Sequence, residues 1–386
     1  MGVWDELTGQ AEAVEIFSAA AGSGNLDSSM THSWLVTGPP GSGRSNIAYA
    51  FATALLSSGD DDVATARQVA ARTHPDLGVL ATERVIISID EVRQLVTTSQ
   101  FSPSVGRYRV MIIEDADRMT ERTSNVLLKA LEEPPPRTVW ILCAPSEADL
   151  IPTIRSRVRS VRLRIPQVVD VAALISRRDN VDLATATRAA REAQSHIGMA
   201  HRLATNADAR ARRDQTLKIA LDIRSVSDAV RAAGTLLALA GDDAKAITAE
   251  RDAEERAGAM RSLGVEPGGT IPPALRAQLK NLEEDQKRRA TRSLRDGLDR
   301  IMVDLLSLYR DVMLLQLGAT TELINLSIHS ELQRASESSS AAGTIAIMDA
   351  INTARQRIEG NVSPALALEA MLISVAKSRP QTEYAR

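Results

Sequence analysis

Up to about residue 165 two kinds of apolar segment alternate along the chain. Trp34-Leu35-Val36 is a short unbroken apolar run that ends in a Gly-Pro loop. Val110-Met111-Ile112-Ile113 is a second run, ending in acids, and Val139 to Cys143 is a third. Between them, Ile47 to Leu56 and Val126 to Leu131 carry apolar residues at helical spacing, and Pro134-Pro135-Pro136 stops the latter. Strands without polar alternation are buried on both faces. Strands separated by helices run parallel and are joined by right-handed crossovers. The pattern therefore predicts a parallel sheet with helices on both sides.

After Pro166 the strand pattern does not return. Residues 167–208 read as a small helical unit, and from 209 to 386 helix follows helix. Lys280 to Leu317 places Leu294, Leu298, Ile301, Leu305, Leu308 and Val312 at spacings of three or four, which is one apolar stripe on a long helix. Residues 264–273, with their glycines and prolines, and Ser336 to Ala342 read as loops. No repeat of fixed period is visible. The expected division is 1–166, 167–208 and 209–386.

Composition narrows the classes. Of 386 residues 44% are hydrophobic, enough for real cores, while only 3% are aromatic, which favours helices over an all-β sandwich. The net charge of −3 excludes a polycation that coats nucleic acid. One cysteine, Cys143, excludes an internal disulfide and a cysteine-based zinc site. Met1 to Glu6 lacks a signal-peptide pattern, and no apolar run approaches the ~20 residues of a membrane span. The expectation is a protein of the cytoplasm without membrane contact.

The candidate chemistry begins at Gly38-Pro39-Pro40-Gly41-Ser42-Gly43-Arg44-Ser45, between a predicted strand and a predicted helix. This is a phosphate-loop shape. Its glycines (Gly38, Gly41, Gly43) let backbone N–H groups face phosphate oxygens, the helix N-terminus adds positive charge, and Ser45 would hold Mg²⁺. Arg44 stands where a lysine is expected, and a wide planar fork does not take the place of a thin ammonium stem. The plain alternative is a glycine-rich turn. Glu114-Asp115 ends the second strand, where a phosphate-loop enzyme places its metal-binding and water-activating acids. The usual order is Asp then Glu, and a displacement of about 1 Å can cost on the order of 100-fold in rate. The alternative for these acids, Asp117 included, is a solvated helix cap.

The first 165 residues resemble the AAA+ clamp-loader subunits of bacterial DNA polymerase III, and most closely those of delta-prime type. The resemblance rests on Trp4-Asp5-Glu6-Leu7-Thr8-Gly9-Gln10, the stretch His32 to Gly41, His74-Pro75-Asp76, Glu114 to Asp117, Asn125 to Pro135 and Thr153-Ile154-Arg155-Ser156-Arg157. It implies an α/β AAA+ P-loop parallel-sheet domain, a small helical lid domain and an all-α C-terminal collar domain. It also implies that Arg157, in Ser156-Arg157-Val158, is an arginine finger for a neighbouring subunit's ATP site. The alternative is a basic solvated strand with Arg155, Arg159, Arg162 and Arg164.

Several positions depart from the family pattern. Ala144-Pro145 replaces a polar γ-phosphate sensor pair. His201 stands near the later sensor arginine, with Arg202 one position off. Between Leu56 and His74 no cysteine of a zinc module remains, so zinc is not expected. Together with Arg44 and Glu114-Asp115, these departures point to a subunit that does not fire its own ATP and yet donates Arg157; static binding of ATP with Mg²⁺ is left open. The implied partners are gamma/tau and delta subunits, with the sliding clamp and primer-template DNA met through the complex. The alternatives are an active gamma/tau-type ATPase and an unrelated P-loop kinase or NTPase. The basic stretch Lys287-Arg288-Arg289, preceded by Glu283-Glu284-Asp285, reads as a self-paired solvated helix and not as a DNA site.

Overall fold

In a computed structural model of the chain, every residue is described except 1–2, 5–6, 23–29, 58, 60–61, 83–84, 263–272 and 379–386; side chains are likewise set aside at 247, 250–251, 254–282, 285 and 288. Five strands, β1 (Ser33–Thr37), β2 (Leu77–Leu80), β3 (Arg109–Ile113), β4 (Thr138–Ala144) and β5 (Arg159–Arg162), form a parallel sheet in the order β2-β3-β4-β1-β5. The three apolar runs are its centre: β1, β3 and β4 are buried at every residue. The two edge strands are short. β5 buries only Val161 among Arg159-Ser160-Val161-Arg162, and β2 has only four residues. The parallel sheet expected from the sequence pattern is present.

Six helices accompany the sheet: α1 (Ala11–Gly22), α2 (Arg44–Leu56), α3 (Val63–Ala70), α4 (Ile89–Ser99), α5 (Glu121–Glu132) and α6 (Pro152–Arg155). One core joins α1 and α2 to the sheet through Phe17, Trp34 and Phe51, all fully buried, with ring centroids 4.7–5.5 Å apart. Tilted and edge-on ring pairs of this kind add about 0.5–1.5 kcal/mol each beyond burial. A second core joins α4 and α5 to Met111, Ile113, Trp140 and Leu142. Ser88 and Glu91 form a capping box at α4, and Thr120 caps α5, so the helix starts are fixed by local chemistry. Three further helices, α7 (Val168–Asp179), α8 (Leu183–Glu192) and α9 (Ile197–Thr205), complete the first compact unit, residues 1–205.

One loop of this unit is built on a buried carboxylate. Asp76 accepts the N–H groups of Ser104, Val105 and Gly106 at 2.6–2.7 Å, the Ser104 hydroxyl at 2.7 Å, and Arg109 at 3.0 Å. Burial alone would raise its pKa, but these donors outweigh burial and hold it at about 2.

The second unit, residues 206–386, is helical throughout its described residues: α10 (Ala207–Asp222), α11 (Val226–Ser262), α12 (Pro273–Gln316), α13 (His329–Glu337), α14 (Ala341–Glu359) and α15 (Pro364–Lys377), with a 3-10 turn at Leu326–Ile328. The stripe on α12 is its core: Leu298, Ile301, Leu305, Leu308 and Val312 are buried, and Leu294 packs against them. Gly297 lets α12 approach α11, since a Cβ there would stand 3.3 Å from the Ala240 carbonyl oxygen. Fully buried Asp311 accepts the N–H groups of Ile324 and Asn325 and pairs with Arg310, while Arg213 reaches Asn325 at 2.6 Å.

Three details of this unit differ from, or lie beyond, the sequence pattern. The Ser-rich stretch is mostly not loop: α13 runs to Glu337 and α14 starts at Ala341, capped by Ser340. Serine hydroxyls bonded to carbonyls three or four residues back, as at Ser336 and Ser339, permit this. The loop expected at 264–273 lies, but for Pro273, outside the described residues. The basic stretch is not simply self-paired: Arg289 crosses to Asp252 on α11 at 2.6 Å, and Arg292 pairs forward with Asp296 at 3.7 Å. Among the described residues no helix is long and apolar enough to cross a membrane.

Candidate functional site

The phosphate loop joins β1 to α2 at the C-terminal edge of the sheet. Gly41 has φ 81° and Gly43 has φ 91°, both in the left-handed region, and Gly43 is the N-cap of α2. Gly41 is needed for space as well. A Cβ there would lie 2.2 Å from the His196 ring, which covers the loop from just before α9. His196 Nδ1 accepts the Met199 N–H at 3.2 Å and so caps α9. The loop is also tied down by Gly38 N–H to the Pro145 carbonyl at 3.2 Å and by Gln10 to the Ser42 and Arg164 carbonyls.

The charged groups of the site face one another. Arg44 donates to the carbonyl oxygen of Gly38 at 2.7 Å, so the guanidinium folds back on its own loop. Ser45 Oγ donates to Glu114 Oε2 at 2.9 Å. Tyr49 Oη donates to Glu114 Oε1 at 2.6 Å, and Arg72 donates to the same oxygen at 2.9 Å. The Arg72 guanidinium also lies over the Tyr49 ring, 5.5 Å from its centroid. Burial first, and then the neighbouring Glu114 carboxylate, push the Tyr49 pKa up, so the phenol stays a donor. Burial likewise pushes the Cys143 thiol to about 12, so it stays protonated.

Asp115 does not join Glu114. It sits at φ 52°, starts the 3-10 turn Ala116–Arg118 and pairs with Arg118 at 3.6 Å. Asp117 has a buried Oδ1 with no hydrogen-bond partner. Its pKa is raised, by burial first and by the Asp115 charge second. The solvated-cap alternative therefore does not describe Asp117.

A phosphate-loop enzyme brings Mg²⁺ to this place, and Mg²⁺ requires free oxygen ligands in octahedral array. Here both Glu114 oxygens accept protein donors, one of them a guanidinium, and the Ser45 hydroxyl is engaged with the same carboxylate. The residues as arranged do not fit the ion. Among the described residues no group of three His, Cys, Asp or Glu side chains is placed to hold a metal. The segment between Leu56 and His74 contains α3, capped by Asp62 through the Thr65 N–H at 3.0 Å.

Of the other candidate positions, Ala144 ends β4 and Pro145 serves the loop through its carbonyl. His201 pairs with Asp179 at 2.7 Å, and Arg178 pairs with the same carboxylate. Arg178 and then His201 hold the Asp179 pKa down against burial. Arg157 lies between α6 and β5. Its Nε donates to Glu132 Oε1 at 2.6 Å, its Nη2 pairs with the same carboxylate, and its Nη1 donates to the Thr153 carbonyl at 2.7 Å and to Ser156 Oγ at 3.0 Å. The side chain remains 32% exposed. Neighbouring Arg159 is not a plain solvated cation, because its guanidinium lies 5.1 Å from the centroid of the buried Trp34 ring.

Four residues of these sites were not singled out by the sequence: Tyr49, Arg72, His196 and Glu132. Tyr49 has a visible signal, being four residues after Ser45 and so on the same helix face. Arg72 and His196 reach the loop by tertiary folding and have none.

In sequence, residues 9–167 match the family model described as DNA polymerase III, delta subunit. The DNA polymerase III subunit delta' of Pseudomonas aeruginosa is 35% identical over 134 residues, 33% of this chain and 41% of that protein. Residues 9–167 are thus similar to delta-prime subunits. The delta-prime-like segment is also 26% identical over 179 residues to DNA polymerase III subunit gamma/tau of Mycobacterium tuberculosis, 45% of this chain and 30% of that protein. The chain thus spans less than half the length of the curated relatives it matches. Among solved structures, a DNA polymerase III gamma subunit-related protein of Thermotoga maritima aligns over 95% of this chain and 98% of its own, at 15% identity and a TM-score of 0.43.

Proposed function

We propose that the delta-prime-like chain is a non-hydrolysing or weakly active AAA+ subunit of a DNA polymerase III clamp loader, acting in the cytoplasm. It helps place the sliding clamp on primed DNA and supplies Arg157 to the ATP site of a neighbouring subunit. Residues 167–208 are its lid, and residues 209–386 are its part of a collar shared with gamma/tau and delta subunits. Clamp and primer-template DNA are met through the assembly.

The observation that carries this reading is the contrast in charge use. Glu114 and Arg44 spend their charges on Ser45, Tyr49, Arg72 and Gly38, and Ala144-Pro145 offers no side-chain donor, so neither charged residue is free as arranged to bind a metal or polarise an attacking water. Arg157 keeps a partly exposed guanidinium on a carboxylate, a partner that phosphate can replace in the same forked geometry. The test has two arms. The purified chain should turn over no measurable ATP. A loader reconstituted with Arg157→Ala should lose clamp-stimulated turnover at one site, with Arg155→Ala as the silent control. Steady-state turnover by the chain alone, abolished by Asp115→Ala, would instead support an active gamma/tau-type ATPase, a reading to which the gamma/tau similarity gives some weight.

A further inference from the structure

The structure assigns to Arg72 the place of the divalent cation in the phosphate-loop site: its guanidinium neutralises Glu114 and keeps Mg²⁺ out. The inference deepens, and rests on, the reading of an idle phosphate loop.

Arg72 is aimed by its backbone. It follows α3 at φ 58°, and the turn is closed by Arg72 N–H to the Val69 carbonyl at 3.0 Å and Thr73 N–H to the Gln68 carbonyl at 2.8 Å. This is a helix end with one residue in the left-handed conformation, which sends the chain off in a fixed direction. From there the side chain lies along the Tyr49 ring and meets Glu114 Oε1 at 2.9 Å. The ring shields one face of the guanidinium and its hydroxyl takes a second bond to the same oxygen. Arg72 is half exposed whereas Glu114 is largely buried, 50% against 16%. The guanidinium therefore meets the carboxylate from its solvent side. An ion seated there would lie against a fixed positive charge and would have to strip Glu114 of two donors.

A cation held by the chain differs from a bound one in a measurable way. Anisotropy of a fluorescent ATP analogue on the full chain, in Mg²⁺ and in EDTA, reads the difference. With native Arg72, Mg²⁺ should tighten binding by less than twofold. In Arg72→Ala, Mg²⁺ should tighten it by tenfold or more. Arg72→Lys keeps the positive charge and should behave as the native chain. Melting of each variant by circular dichroism confirms that it is folded. A native chain that gains from Mg²⁺ as much as Arg72→Ala does, or an Arg72→Ala chain that gains nothing, overturns the assignment. Turnover of ATP by the native chain would instead sink the idle-loop reading, so the two failures are distinguishable.

Discussion

The phosphate loop and the Arg157 segment are the two charged regions of one sheet domain, and they use charge in opposite ways. In the loop the strong charges are spent on groups of the same domain. Arg44 bonds a carbonyl of its own loop, Glu114 is met by Ser45, Tyr49 and Arg72, and Asp117 is half sunk in a low-dielectric surround. Beside β5 the Arg157 guanidinium is held by a carboxylate at the surface, within reach of another molecule. The comparison teaches that packing by itself can require the glycines of a motif. Gly41 is required beneath the His196 ring and Gly43 is required at a left-handed helix cap, whether or not a phosphate ever arrives.

The largest effect that would break this contrast lies at Arg157. Clamp-stimulated ATP turnover by a loader reconstituted with Arg157→Ala is expected to fall by about 10³-fold or more at the affected site, the scale of arginine fingers elsewhere. Arg157→Lys should recover little, because an ammonium lacks the planar fork. Loss of the exposed ion pair should cost the fold no more than about 1 kcal/mol. Arg159 is unsuitable as a control, since it packs on Trp34. If Arg157→Ala and Arg155→Ala give equal rates, the surface region is no more functional than the loop.

Both regions depend on an intact sheet, and Asp76 tests that dependence. Asp76→Asn replaces one acceptor oxygen by a donor among N–H groups and should lower unfolding free energy by about 3 kcal/mol in urea titrations. The native carboxylate gives a pH signature. Its folded pKa of about 2 lies below the unperturbed 3.8, so its contribution is present above pH 4 and is lost as pH falls from 4 to 2. The loss is about 2 kcal/mol, and Asp76→Asn should flatten stability across that window.

A smaller change sharpens the Arg157 side. If Arg157 is the proposed finger, Glu132 competes with phosphate for the guanidinium, and Glu132→Gln should raise clamp-stimulated turnover about two- to fivefold, the equivalent of ~1 kcal/mol of ion pairing. A fall in rate would mean that Glu132 aims the side chain instead of restraining it. The smallest effect belongs to the loop. Arg44→Ala should change turnover of the assembled loader by less than about twofold, because the Arg44 guanidinium is folded back on a carbonyl of its own loop.

The central sheet was legible because β1, β3 and β4 are apolar at nearly every position, and the long α12 stripe because burial recurs at helical spacing. The edges were not. Arg159-Ser160-Val161-Arg162 reads as surface, and it is both surface and strand. The phosphate loop was legible as a shape through its glycines. What the loop does with its charges was only partly visible, because Tyr49 is local to it whereas Arg72 and His196 arrive from the far side of turns that sequence spacing does not encode.

The aromatic cluster under β1 has an optical consequence. The chain has three tryptophans, Trp4, Trp34 and Trp140, and all of them belong to residues 1–205. Trp34 and Trp140 are shut from water, so their emission should lie toward the blue and move to the red as the sheet opens. The helices from Ala207 onward carry no indole and are followed by far-ultraviolet dichroism. One denaturant titration followed at both wavelengths therefore separates two melting processes without a label. Where the curves part, the sheet domain and the helical unit have each declared a stability of their own.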